Sequence, residues 1–411
     1  MRNVFKVVVV GVLVFVGFGC FGQEVRYGTG KGDMLRNCDR CYDFRDGLAK
    51  VEKDGKYGFM DKSGKVVVPI VYDGVGDFSE MGLACVWKDD KWGFIDKSGK
   101  VVIAIEYDEV GDFSGELAWV KKGDMWNAVY GFVDKNGKVV VPLEYDGVGD
   151  FSDGLAKVEK NGKWGFIDRS GKVVIPMVYD NVDVYREGLA GVKKDGKWGY
   201  IDRNGKVVIP MVYDKANPFS DGLACVVVGA SNDGIEFNDD FEVVIKTEGK
   251  CGFIDKNGKV VVPMEYDYSI ASYPSFSDGL ATVEKNGKYG FIDKNGNVVV
   301  PTEYDYVGDF SEGLAKVKMG YEWGYVDKSG RAVIPIEYEY DYADDFSEGL
   351  AAVIMEGKLG FIDKEGSVVF LVEFDVDFFF IPKFSDGFAR VKIDDIWVYI
   401  DKTGEVVLWL Q

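Results

Sequence analysis

The sequence predicts an all-β fold: a tandem array of about ten three-stranded antiparallel β-meander repeats, stacked as an open or superhelical solenoid. A propeller-like closed ring, or two of them, is the alternative architecture. Three observations carry the prediction. A fourteen-residue phrase, "KWGFIDRSGKVVIP" from Lys163 to Pro176, returns in near copies from Lys56, Lys91, Lys197 and Lys288. A second phrase, "DFS[DE]GLA", keeps step with it at Phe44, Phe78, Phe113, Phe151, Tyr185, Phe219, Phe276, Phe310, Phe346 and Phe384. Composition agrees, with 15% aromatic residues and 53 Gly against only 10 Pro, as expected for short strands joined by glycine turns.

The register is set by an aromatic–Gly pair at Tyr57–Gly58, Trp92–Gly93, Tyr130–Gly131, Trp164–Gly165, Trp198–Gly199, Tyr289–Gly290 and Trp323–Gly324. Cys251 and Leu359 replace the aromatic in two further units, and in the last unit Trp397 is followed by Val398 in place of Gly. Successive spacings are 35, 38, 34, 34, 53, 38, 34, 36 and 38, so the basic length is 34.

The unit from Phe151 to Tyr185 justifies the elements in order. "FSDG" is a turn, with Gly154 at positive φ. "LAKVEK" (155–160) alternates Ala156 and Val158 with Lys157 and Glu159, a strand. Asn161-Gly162 is a two-residue type I′ hairpin signal. "KWGFID" is the second strand, "RSG" a three-residue loop with Gly171 left-handed, and "KVVIP" a third strand that Pro176 ends. "MVYD" leads into a looser connector with room for a short fourth strand.

One such meander is too small to bury its own aromatic face, so neighbours must cover it. A Gly inside a strand marks close backbone approach. The expectation here is that a ring lies over the Gly of the next unit, or over the unit's own neighbouring strand. Val398 then reads as a cap, because a terminal unit has no following neighbour.

"KWGFIDRSGKVVIP", with "FSDGLAKV" and "YD", resembles the WG-repeat family of bacterial proteins over about Asp43 to Gln411. Nine of ten units keep the Gly. The resemblance implies a β-repeat array and no shared chemistry. The hairpin pattern is also similar to that of cell-wall-binding repeats, which are shorter units.

The chain divides into a signal peptide at 1–22, a linker at 23–42 and the array at 43–411, with an insertion near 229–248. Val7–Gly19 is an uncharged run of thirteen residues behind Arg2 and Lys6, too short to span a membrane and suited to an export signal. "GFGC" resembles a bacterial lipoprotein signal with lipidation at Cys20, although Gly17 and Phe18 depart from it; the alternative is cleavage before Gln23. Cys38 and Cys41 form a CxxC read as a local disulfide at the start of the array.

The net charge of −20 argues against nucleic acid as a partner, and the absence of His removes the commonest general base and metal ligand. Asp168 and its nine equivalents could suggest paired carboxylates, but an acid repeated in every unit beside a turn is read as a backbone cap. The Trp–Lys neighbours are read as core rings with solvated lysines. Asp233, Glu236, Asp239, Asp240 and Glu242 crowd the insertion and are read as a solvated acidic hairpin, with calcium the lesser reading. No enzyme activity, cofactor or metal is expected. The expected role is an exported non-enzymatic binding or scaffold module of the cell envelope, its partner a protein or a cell-wall polysaccharide, its only membrane contact a lipid anchor. A carbohydrate-binding or glycan-processing protein and a purely structural spacer are the alternatives.

Overall fold

The computed structural model describes residues 39–230, 234–237, 243–246, 249–268, 274–338, 340–355, 357–372, 381–393 and 396–410. The leader 1–22, Cys20 and Cys38 lie outside them. Every regular element among the described residues is a strand, and the strands form repeated antiparallel sheets, most of them four-stranded. The tandem all-β array expected from the sequence is what is found. The first strand, Arg40–Arg45, takes in residues assigned to the linker, and Cys41 is buried in it.

One repeat stands for the rest. Its strands are β1 (Gly147–Ser152), β2 (Leu155–Lys160), β3 (Lys163–Asp168) and β4 (Val173–Tyr179), paired in that order. The expected meander of three strands gains a fourth, β1, from the segment read as connector. Gly147 faces Glu159, Val148 faces Val158 and Phe151 faces Ala156, with a bulge between Val148 and Phe151. Asn161 and Gly162 take φ of 52° and 72°, as a type I′ turn requires, and Asp153 and Gly154 do the same at 52° and 82°.

Pro176 does not end its strand. Trp164 pairs with Tyr179 and Phe166 with Ile175, so two steps of β3 face four of β4, and Pro176 sits in this bulge where no ladder N–H is needed. The bulge explains the signature glycine. A Cβ on Gly165 would lie 2.4 Å from the Ile175 carbonyl oxygen and 2.7 Å from the Pro176 carbonyl carbon. The close approach is therefore to the repeat's own next strand, the second of the two expectations. Val398 needs no cap to explain it. Trp397 pairs with Leu410, Val398 with Trp409 and Tyr399 with Leu408 in step, so the last sheet has no bulge at that place.

This sheet buries one face against the preceding repeat and the other against the following one. Phe151, Ala156, Val158 and Ile167 pack on Leu117, Phe132, Val141 and Tyr145, while Leu155, Phe166, Ile175 and Tyr179 pack on Val182, Tyr185, Ala190, Val192 and Ile201. An edge-on ring pair marks the junction, Phe166 with Tyr185 at 4.7 Å, and recurs within the units, as with Phe132 and Phe151 or Tyr325 and Phe346. A hydrogen bond marks it too: Ser152 Oγ donates to the Tyr185 carbonyl at 2.6 Å. The apolar core is thus made between repeats, as nearest-neighbour stacking demands.

The chain forms two compact units. One runs Phe78–Glu303 and contains the repeat just described. Within it Val260–Asp267 pairs with Leu280–Lys285, merging two repeats into one eight-stranded sheet, and the insertion forms a separate hairpin of Gly234–Phe237 with Val243–Lys246. The other unit joins Met1–Asp77 to Tyr304–Gln411. Here the last sheet packs on the first. Tyr399 lies 4.9 Å from Phe44 and donates its hydroxyl hydrogen to the Tyr42 carbonyl, and Asp386 accepts the Gly47 N–H at 2.7 Å. The last repeat does have a neighbour, which corrects the premise of the capping argument.

Candidate binding cavity

The signature residues occupy one place per sheet and do not converge. Tyr57, Trp92, Tyr130, Trp164, Trp198, Tyr289 and Trp397 are partly buried and Trp323 is buried, each beside or in place of its glycine partner on the equivalent of β3. Trp164 shows one such arrangement. Its ring packs on the junction core, and Lys157, from the neighbouring strand, places Nζ 5.4 Å from the ring centroid. Lys163 turns away to an ion pair with Asp180 at 2.6 Å.

Asp168 is a turn cap. Its Oδ1 accepts from the Ser170 N–H at 2.9 Å, the Ser170 hydroxyl at 2.6 Å and the Lys172 N–H at 3.1 Å. These bonds, the Ser170 hydroxyl foremost, hold its carboxyl below the ordinary carboxylate range. A second acid does more than the sequence suggested. Asp153, at the tip of the β1–β2 turn, accepts the Gly188 N–H of the next repeat at 3.0 Å, and Arg203 of that repeat approaches it at 3.5 Å.

One junction in the Phe78–Glu303 unit lacks any side chain at the position of Lys157. Gly191 stands where Lys157 covers Trp164, so no side chain extends from that position over Trp198; a Cβ there would lie 3.7 Å from Trp198 Cε3. Two repeats on, the connector from Tyr266 to Phe276 is longer than its equivalent from Tyr213 to Phe219, and its strand is reduced to Phe276–Ser277. A cavity of about 500 Å³ results. Asp183, Arg186, Lys193 and Trp198 line it from one sheet, Asp214 to Pro218 from the next, and Tyr268 and Ser275 from the long connector.

The polar groups are held in place. Asn217, 9% exposed, donates Nδ2–H to the Pro274 carbonyl at 3.2 Å, and its own carbonyl accepts the Tyr200 hydroxyl at 2.7 Å. Asp214 accepts from Lys197, which holds its carboxyl low, and also from the Ala230 N–H at 3.3 Å. Lys215 places Nζ 5.6 Å from the Tyr268 ring. Three cations face two carboxylates in a chain of net charge −20. An aromatic face with fixed amide, carboxylate and cationic groups around it suits a ligand with one apolar face and hydrogen-bonding edges.

Sequence reasoning found Trp198 but missed Gly191, Asp183, Asn217 and Tyr268. Two signals were there to read: a glycine at 191, where the other repeats carry a side chain, and the long stretch between Tyr266 and Phe276. Among the described residues no three Cys, Asp or Glu side chains gather as a metal site. The side chains of the acidic segment 233–242 lie outside the described residues. Among the described residues no helix is long and apolar enough to cross a membrane.

The WG containing repeat matches ten segments, at residues 37–57, 57–92, 92–126, 130–164, 164–198, 198–230, 252–289, 289–322, 323–358 and 360–397. The chain belongs to the WG-repeat family. No curated protein matches this WG-repeat sequence. Among solved structures it is similar to a eukaryotic initiation factor, at 13% identity over 82% of this chain and 95% of that one, with a TM-score of 0.48. It is also similar to BamB from Moraxella catarrhalis, at 12% identity over 74% and 94% with a TM-score of 0.33. AztD from Citrobacter koseri follows at 14% identity over 69% and 91% with a TM-score of 0.31. Likenesses this distant carry no functional assignment.

Proposed function

We propose that this WG-repeat chain is an exported, non-enzymatic binding module of the bacterial cell envelope, and that it takes a segment of cell-wall polysaccharide into the cavity at Trp198. The observation that carries the reading is the Trp198 ring left without any side chain over it from position 191, where Gly191 stands, inside a cavity rimmed by Asn217, Asp183 and Arg186. A sugar ring stacks its apolar face on an indole and offers hydroxyls to such a rim. Export rests on the apolar run Val7–Gly19 behind Arg2 and Lys6. The non-enzymatic part rests on the repeated aspartates, which are occupied as turn caps.

Calorimetric titration with soluble cell-wall glycan fragments tests the ligand. Binding is expected for the parent and for Trp164→Ala, and is expected to be lost in Trp198→Ala with the melting curve preserved. Equal affinity in Trp198→Ala would move the site elsewhere. No binding of any fragment, with a protein captured instead from an envelope extract, would overturn the glycan assignment, and no partner of either kind would leave the spacer reading.

A further inference from the structure

On every sheet the third residue of the β2 equivalent and the signature aromatic of β3 are diagonal neighbours on one face. Lys157 pairs with Phe166 and Glu159 with Trp164, which brings Lys157 onto the Trp164 ring. The same diagonal places Trp119 against Tyr130 at 5.9 Å and Arg390 over Trp397 at 4.4 Å. In the repeat that carries the insertion, this diagonal is Cys225 and Cys251. Cys225 pairs with Phe253 and Val227 with Cys251, the same offset. Both cysteines are buried, at 1% and 0% exposure, in one apolar cluster. Cys85 also holds a β2 position, but its diagonal partner is Trp92.

We propose that Cys225 and Cys251 are a disulfide site that staples the base of the insertion. The chain leaves the array just after Cys225, forms the hairpin of Gly234–Phe237 with Val243–Lys246, and re-enters at Cys251. A bond there closes the excursion where it departs from the sheet, removing freedom from the unfolded chain. The two thiols meet in the folded sheet. Their mutual hydrogen bond holds the Cys251 thiol low and pushes the Cys225 thiol up, and Cys251 also donates its S–H to the Asp267 carbonyl at 3.6 Å.

The two thiols together give up two protons and two electrons as one S–S bond forms. The electrons pass to an external low-molecular-weight or protein disulfide, which is reduced to two thiols. With both sulfurs buried in the finished sheet, the exchange belongs to folding, before the strands close over them.

The test is refolding of the reduced, denatured full chain in an oxidised/reduced glutathione mixture, followed by alkylation and non-reducing peptide mapping. The expected product is a peptide pair joined through Cys225 and Cys251, two hydrogens lighter than its reduced form. The oxidised protein should melt at a higher temperature than the reduced one, a difference that disappears in the Cys225→Ala/Cys251→Ala variant. Recovery of both residues fully alkylated, or of either joined to another cysteine, would overturn the assignment. Because mapping is done on the unaltered chain, it stands whether or not the variant folds.

Discussion

Ser385 donates its hydroxyl hydrogen to the carbonyl oxygen of Phe44 at 2.7 Å, across 341 residues of sequence. Ser311 and Phe346, at 2.6 Å, and Ser347 and Phe384, at 2.8 Å, make the same bond between consecutive repeats. The unit formed by the two ends of the chain therefore receives the first sheet as if it were the next repeat. In the first sheet Arg45 replaces the serine and pairs with Asp77 at 2.7 Å instead.

This bond gives the first prediction. Ser347→Ala and Ser385→Ala should each lose about 1 kcal/mol, the usual worth of such a hydrogen bond. Urea melts measure both. A loss at Ser347 with none at Ser385 would mean that the two ends do not pack as sequence neighbours do.

The bulge gives the second. Gly165→Ala drives a methyl into the backbone of Ile175 and Pro176, which cannot retreat, and should cost about 1–3 kcal/mol. Leu359 pairs with Val372 and Gly360 with Leu371 in step, with no bulge at that place, and a Cβ on Gly360 meets the ends of Leu371, at 2.8 Å, and Met355, at 3.1 Å, with the Phe370 carbonyl oxygen at an ordinary 3.6 Å. Gly360→Ala should be the milder change, under about 1 kcal/mol, because those side chains can turn aside. Equal costs in denaturant melts would separate the glycine from the bulge.

Acid should unfold the array over a defined window. The turn caps Asp61, Asp96, Asp134, Asp168, Asp255 and Asp293 are all held below the ordinary carboxylate range by hydrogen bonds from their own turns, and Asp327 falls to about 2, chiefly through the Ser329 hydroxyl. A carboxylate lowered on folding adds stability that is present above its unfolded pKa and is lost as the pH falls through its folded value. That places the loss between about pH 4 and pH 2. Asp43 and Asp150, raised by burial, act the other way: they cost stability while ionised and are relieved as the pH falls through their raised values, before the turn caps are lost. Melting temperature followed from pH 7 to pH 2 should hold or rise slightly at first and drop below about pH 4. A flat profile from pH 4 to pH 2 would contradict the capping role.

What was legible in the sequence was whatever local chemistry decides. Asn161-Gly162 can make only a narrow set of hairpins, and Asp168 beside Ser170-Gly171 has an obvious turn to cap. β1 was hidden because "GVGDFS" carries two glycines and no alternation; it pairs with β2 at Gly147, Val148, Phe151 and Ser152, and of these only Val148 and Phe151 bring an apolar side chain. Pro176 misled because a proline is tolerated within a strand once a bulge frees its position from the ladder. The cavity was invisible because it arises from side chains missing or moved at one junction, Gly191 above all, and a missing side chain signals nothing until its neighbours are known.

The packing of the first sheet on the last is the claim on which the account of the end-to-end unit rests, and a double-mutant cycle on Phe44 and Tyr399 tests it most directly. Their rings lie 4.9 Å apart, close to the 4.7 Å of Phe166 and Tyr185, which neighbouring repeats bring together. With each residue changed to Ala singly and together, the account predicts a coupling of about 0.5–1.5 kcal/mol, matching that of the Phe166–Tyr185 cycle. Additive losses at Phe44 and Tyr399, alongside a measurable coupling at Phe166 and Tyr185, would contradict it.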